Sequence, residues 1–434
     1  MLNRKKGPQI TNIHSLVLPE SEIYTLPNGI RICEINLGSQ EIIKFEIFHA
    51  AGRTKEEMPL ASRAVSSLIK DGTATKTSAQ LSEEIDFYGS SIKTASNMDF
   101  SYSTLFALTK QFHHALPILH DMYYRPSFPD DEIEKFKLLN IQKLREELTK
   151  NEVITYRHFT EDIFGKYHPY GFNSTESDYL ALTSDAIRDH HLHYYGSDNC
   201  YIFVSGKITQ SIRNQISDLF GTEVKMSKQH EFDFQIPDQT GKKISLTSKN
   251  EHQSALKTGR HLFNKDDQDH PSFFLLNVIL GGYFGSRLMM SIREDKGYTY
   301  DISSSMDQML HDGCFYISTE AAPEYIEPIL VEVYHQMNLL KQEKIGTKEF
   351  SMVKNYLMGT FMNMLDGPLN VSSLARTMIL TGKKPEDFLI FCDKLMSITP
   401  ETILNTAQKY LNEDEMTEVV VSPDIAPEII LGCL

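Results

Sequence analysis

The sequence predicts an α+β protein of two homologous halves, each a mainly antiparallel sheet with helices packed on one face. Three observations predict it. Asn28-Gly29 stands between two runs of alternating apolar residues, a strong short-range hairpin signal. Strand-period and helix-period stretches follow in one order in the first half and return in that order in the second. Phe87-Tyr88-Gly89-Ser90-Ser91-Ile92 and Lys296-Gly297-Tyr298-Thr299-Tyr300-Asp301-Ile302 fall at the same point of each half, where a helical pattern gives way to a strand.

In the first half, Glu22 to Ile35 reads as the hairpin and Ile42 to Ala50 as a further strand. Pro59 to Lys70 reads as a helix. Ser78 to Tyr88 reads as a second, entered through Ser78-Ala79-Gln80-Leu81, a weak capping box because its fourth residue is not acidic. Ser90 to Leu108 alternates as two strands around Asn97-Met98-Asp99, and Phe112 to Tyr124 returns to helical spacing. In the second half His270-Pro271 opens an apolar helix that runs to Leu280 and breaks at Gly281-Gly282. A helical segment from Ser286 to Asp295, strands from Thr299 to Ser305 and Gly313 to Thr319, and a helix from Pro323 to Leu340 complete the repeat. Thr222 to Lys243 shows little periodicity and holds Lys225, Lys228, Pro237, Asp238 and Gly241, a linker composition. The division expected is an N-terminal domain over 1–228, a linker over 229–242 and a C-terminal domain over 243–434.

A chain of 434 residues is too long for one ordinary core, in keeping with that division. The net charge of −15 argues against a nucleic acid or an anionic membrane surface as main partner, since both need a basic footprint. Cys33, Cys200, Cys314, Cys392 and Cys433 are scattered, without C-x-x-C spacing, and read as core thiols of a reducing compartment. Met1 to Pro8 carries basic residues, but no apolar signal-peptide region follows, and no window approaches the ~18–20 apolar residues of a membrane span. A cytoplasmic protein is expected. There is no G-x-S-x-G elbow, P-loop or G-x-G-x-x-G. His190, His191 and His193 have no acid or cysteine at ligand spacing and read as a surface helix-to-strand junction; His113 and His114 read as the solvated start of a helix.

Six fragments, in order over nearly the whole chain, resemble the M16 family of inverzincin metallopeptidases, relatives of mitochondrial processing peptidase and the bc1 core proteins. They are Leu26-Pro27-Asn28-Gly29, Gly52-Arg53-Thr54-Lys55-Glu56, His168-Pro169-Tyr170-Gly171, Tyr194-Tyr195-Gly196-Ser197-Asp198-Asn199, Gly281-Gly282-Tyr283-Phe284-Gly285-Ser286-Arg287-Leu288 and Ile292-Arg293-Glu294-Asp295-Lys296-Gly297-Tyr298-Thr299-Tyr300. The resemblance implies an M16/LuxS-like fold. It also implies an H-x-x-E-H helix, two imidazoles holding Zn²⁺ and a glutamate acting as base. Laid back from Gly72-Thr73, the five motif positions here are Arg63, Ala64, Val65, Ser66 and Ser67. Arginine only donates, and a serine hydroxyl is a poor zinc ligand and a poor base. The family's third ligand, a glutamate about 76 residues beyond the second histidine, corresponds to Lys143, a cation that would repel the metal. The motif is degenerate at Arg63, Ser66, Ser67 and Lys143, and no metal is expected on this chain. The charged helix from Asp130 to Leu148 that holds Lys143 also reads as an ordinary solvated face.

The resemblance further implies an arginine and a tyrosine seven positions apart, supplied by the zinc-less half or subunit, and Arg293 and Tyr300 show that spacing. A tyrosine hydroxyl can donate to a developing oxyanion while a guanidinium fork fixes peptide carbonyls. The plainer alternative is an arginine at a helix end and a tyrosine packed in a strand. The strand at Thr94-Ala95-Ser96-Asn97 lies where active members bind substrate as an added strand, and reads equally as a plain sheet edge. The expected function is therefore a non-catalytic subunit of a heterodimeric zinc peptidase, inactive alone, with zinc in a homologous partner and a peptide or unfolded polypeptide as substrate. The alternative is a scaffold or peptide-binding protein comparable to the bc1 core proteins.

Overall fold

Asn28 and Gly29 close the hairpin: Gly29 takes φ +97°, a left-handed conformation that glycine adopts without a Cβ clash, and the Asn28 amide donates to the Phe220 carbonyl at 2.6 Å. The structure, a computed structural model, describes residues 16–222, 224–228, 232–238, 241–248 and 253–423. The first half runs β1 (Glu22–Thr25), β2 (Arg31–Asn36), β3 (Ile42–His49), α1 (Ala61–Leu68), α2 (Ser78–Phe87), β4 (Ser91–Ser96), β5 (Ser101–Leu108), α3 (Phe112–Tyr124), α4 (Asp130–Glu147), α5 (Asn151–Phe164), α6 (Glu176–Ala181), α7 (Ser184–Tyr194), β6 (Cys200–Gly206) and α8 (Gln210–Phe220). The second runs β7 (Lys243–Ser248), β8 (Ser254–Leu262), α9 (His270–Leu280), a π-helical turn (Met289–Asp295), β9 (Thr299–Gln308), β10 (Gly313–Ala321), α10 (Ile326–Gln342), α11 (Thr347–Met364), α12 (Gly367–Leu380), α13 (Asp387–Ser397), α14 (Pro400–Tyr410) and β11 (Thr417–Pro423).

The duplication is visible in the sheets. Their strand orders are β1-β2-β6-β3-β5-β4 and β7-β11-β8-β10-β9. Without the hairpin strand β1 the two orders coincide, and so do the directions. The β2–β6 and β7–β11 pairs are parallel and every other pair is antiparallel. Helices at matching places also match in length: α4 and α11 have 18 residues, α5 and α12 have 14, α7 and α14 have 11.

One face of the first sheet, with Ile43, Phe45, Ile47 and Leu105, packs on α1, α3 and α8 from its own half. The second sheet places Leu256, Phe315 and Ile317 against α9, α10 and α11 in the same way. To this expected helix layer the fold adds an exchange. Val371 and Ala375 of α12 lie on the outer face of the first sheet, against Cys33, Ile35, Phe48 and Phe203. Phe159, Ile163 and Phe164 of α5 cover the outer face of the second sheet at Cys314 and Val419. Burying an apolar side chain of this size is worth roughly 1.5–3 kcal/mol, so each half depends on a helix lent by the other.

Several elements differ from the sequence reading. The capping box of α2 is set one residue earlier, with Thr77 as N-cap and Gln80 returning its bond at 2.9 Å. The segment ending at Asp295 is π-helical. Strand β7 alternates polar and apolar residues at the end of the expected linker and was not anticipated, and β8 was hidden because it buries Lys257 and Thr258 among its apolar residues. Of the expected linker, residues 229–231 and 239–240 lie outside the described residues, as do Cys433 and the two chain ends. Residues 232–238 form no regular element, but the Phe232 ring stacks on His311 at 4.0 Å and packs on His168 and Tyr170.

Candidate functional site

Leu60 precedes α1 at φ 72°, and no side chain caps the helix at that position. Glu56 supplies the acceptors instead, its carboxylate receiving the Leu60 and Ser62 backbone N–H groups at 3.0 Å each. Burial pushes this carboxyl up to about 7, against the opposing pull of Arg53 and the backbone donors. One turn on, the Ser66 hydroxyl donates to Ser101 Oγ at 3.1 Å, and the Ser101 hydroxyl in turn donates to the Ala51 carbonyl at 2.8 Å. Ser66 is thus tied into a buried hydroxyl chain, and Ser67 is half-buried on the same helix.

Arg63 and Lys143, 80 residues apart in sequence, are brought to one polar cavity of about 130 Å³ that neither Ser66 nor Ser67 lines. The Arg63 guanidinium stands 5.9 Å from the Tyr179 ring, and the mostly exposed Lys143 ammonium lies 3.7 Å from Glu147. These residues do not fit a zinc ion. The ligand positions Arg63 and Lys143 are cations that only donate and Ser67 offers only a hydroxyl, while at the base position the Ser66 hydroxyl is committed to Ser101. Among the described residues no group of three or more His, Cys, Asp or Glu is placed to hold a metal.

Arg293 and Tyr300 meet in space. Arg293 sits in the last turn of the π-helix, whose wide winding is closed by the Gly297 N–H on the Arg293 carbonyl and the Tyr298 N–H on the Ile292 carbonyl, both at 3.1 Å. Gly297, at φ 66°, turns the chain into the edge strand β9. The guanidinium then lies 5.0 Å from the Tyr300 ring centroid and 4.7 Å from that of Phe284. Tyr300 is 85% exposed and Phe284 62% exposed. Tyr300 is therefore not packed in its strand, and the half-buried Arg293 guanidinium lies against both rings with Glu294 at 3.7 Å. Arg287 fixes the preceding loop by donating through Nε and Nη2 to the Glu349 carboxylate at 2.9 and 3.0 Å.

The matched fragments also meet. Arg53 donates to the Pro169 and Phe172 carbonyls at 3.3 and 3.0 Å, joining Gly52–Glu56 to the His168–Gly171 loop. Tyr170 donates to Asp99 Oδ1 at 2.6 Å, and the other Asp99 oxygen accepts the Leu310 N–H of the second half at 2.9 Å. The histidines near α7 are not a surface junction: His190 is buried and donates through Nε2 to the Ala51 carbonyl at 3.0 Å, and His191 does so to Tyr123 at 2.8 Å. His113 and His114 are exposed at the start of α3. Strand β4 is an edge, paired among the described residues only to β5. Sequence reasoning missed Phe284 and Glu56 as parts of these sites, although both stood inside matched fragments; only packing shows what they touch.

The model of the insulinase family, peptidase family M16, matches residues 61–168, and that of the peptidase M16 inactive domain matches residues 181–357. The chain is 23% identical to the uncharacterized zinc protease YmxG of Bacillus subtilis over 396 residues, 90% of this chain and 96% of that protein. It superposes on a peptidase M16 inactive domain from Pseudomonas fluorescens with a TM-score of 0.83 at 20% identity, covering 94% of this chain and 99% of that one. A protease from Helicobacter pylori gives 0.85 at 17% identity, covering 94% and 100%. With both family models matched in order, two sheets of one topology, and relatives aligned nearly end to end, the chain belongs to the M16 peptidase family.

Proposed function

We propose that this chain is the non-catalytic subunit of a two-chain M16 peptidase and lends Arg293 and Tyr300 to the zinc site of a homologous partner with an intact H-x-x-E-H helix. The observation that carries this reading is the meeting of Arg293 with the exposed Tyr300, retained in a chain whose own metal positions hold Arg63, Ser67 and Lys143. Tyr300, on an edge strand, presents its hydroxyl to a scissile carbonyl and donates as negative charge builds on the oxygen. Arg293 binds neighbouring peptide carbonyls through its planar fork, with Phe284 and Tyr300 limiting the orientations it samples. The partner's zinc supplies the activated water; this chain orients substrate and stabilises the oxyanion.

Peptides or unfolded segments are the substrates of this reading. The cytoplasm is its compartment, in keeping with the free buried thiols Cys33, Cys200, Cys314 and Cys392. No described helix is long and apolar enough to cross a membrane. Co-expression with an M16 homologue bearing H-x-x-E-H tests it: the two should co-purify and cleave an unstructured peptide that neither cleaves alone. Full cleavage by the homologue alone, unaffected by this chain, would refute it. A scaffold or peptide-binding role is the second reading, favoured by a cleft of about 750 Å³ that the outer face of the first sheet, including β4 at Lys93 and Thr94, forms with Leu310 and Arg376.

A further inference from the structure

Where the metal site of an active relative would stand, the chain builds an excess of positive charge. Arg53, Arg63, Lys143 and Arg157 all line the cavity of about 130 Å³ beside α1, and Glu147 is the only carboxylate among its lining residues. Around it, the Asn140 and Asn173 amides and the Ser174 backbone complete a polar wall. This gathering of four cations occurs in a protein of net charge −15.

Among the described residues only Lys143 of the four has a carboxylate within ion-pair distance. Arg53 gives its bonds to the uncharged Pro169 and Phe172 carbonyls, and Arg157 to the Ser174 carbonyl at 2.7 Å. Arg63 has no ion pair among the described residues, only the Tyr179 ring face. Lys143 has Glu147 at 3.7 Å, a loose pair. Glu56 pulls on Arg53, but its oxygens accept N–H groups of α1 and its burial resists ionisation; Glu161, Glu147 and Asp178 act on Arg157 without pairing with it. Burial holds Arg53 below the usual guanidinium range despite the pull of Glu56, with Arg63 adding a smaller push downward. Like charges gathered in a half-enclosed site repel, and an anion seated between them relieves that repulsion.

We infer that this cavity is a binding site for a small, multiply charged oxyanion of the phosphate class, held by Arg63 and Lys143 at its mouth with Arg53 and Arg157 behind. Guanidinium forks match tetrahedral oxyanions through paired N–H donors, and the volume admits one such group rather than a nucleotide or a peptide segment. The site neither uses nor needs the Arg293–Tyr300 pair, so its failure would leave the peptidase reading standing.

The test is calorimetric titration of the full chain with inorganic phosphate at fixed ionic strength, alongside sulfate, chloride, acetate and a short peptide in free-acid and amidated forms. Saturable binding of phosphate is expected, weakened at least tenfold in Arg63→Gln/Lys143→Gln, whose thermal midpoint without phosphate should stay level or rise. Should the double variant fail to fold, Lys143→Ala, altered at an exposed position, should by itself weaken phosphate binding severalfold. Absence of saturable binding, an equal response to chloride, equal binding by the variants, or binding of the free-acid peptide in preference to phosphate would each overturn the inference.

Discussion

The Arg293 guanidinium carbon lies 5.0 Å from the centre of the Tyr300 ring, across a turn made possible by the left-handed Gly297. The Arg293 guanidinium has Glu294 at 3.7 Å as a loose ionic partner, and the ring it faces is exposed. In the proposed two-chain enzyme, Tyr300→Phe should lower kcat/KM by about 100-fold, the loss typical of one oxyanion donor, with little change in KM. Arg293→Ala should raise KM as well. Steady-state kinetics on one peptide separate these outcomes, and unchanged constants in both variants would remove the pair from the mechanism.

Phe284 confines Arg293 from the other side at 4.7 Å. Phe284→Ala should reduce kcat/KM by about threefold to fivefold, in line with the roughly 0.5–1 kcal/mol of an exposed cation–π contact, while Phe284→Tyr should retain activity. The same kinetic assay reads both.

The exchanged helix α12 carries Arg376, whose guanidinium reaches Glu46 of β3 at 2.5 Å; Glu46 is only 2% exposed and has Lys44 at 2.9 Å as its other partner. Arg376→Ala leaves this buried carboxylate half-compensated. A loss of about 2–4 kcal/mol is expected from urea unfolding, and Glu46→Gln in the same background should recover part of it.

Burial keeps His49, His190 and His191 neutral, lowering them from 6.5 to about 3, 4 and 3. Unfolded, each binds a proton near its ordinary value; folded, each resists until far lower pH. As pH falls from 6.5 towards 4 the unfolded chain therefore takes up more protons, and stability drops. Each pH unit of that interval costs about 1.4 kcal/mol per histidine at most. Urea midpoints measured across this range should fall steeply, and His49→Phe, between the Tyr123 and Tyr195 rings, should flatten the slope.

Local signals were legible where the physics is local. The Asn28-Gly29 hairpin needs only one left-handed glycine and alternating neighbours. What escaped depends on distant partners. Strand β8 hid because Lys257 is buried with its ammonium 3.9 Å from the Tyr316 ring centre and 3.0 Å from Ser318, contacts supplied by another strand. The exchange of α5 and α12 leaves no periodic mark that tells which half they cover. His190 looked solvated in sequence because its acceptor, the Ala51 carbonyl, lies 139 residues away.

Metal analysis of the isolated chain, purified without chelator and dialysed against zinc, tests the division of labour most directly. The account predicts no retained zinc on this polypeptide and one zinc for each pair once the H-x-x-E-H partner is bound. Stoichiometric zinc on the isolated chain, lost on Ser66→Ala or Ser67→Ala, would contradict it.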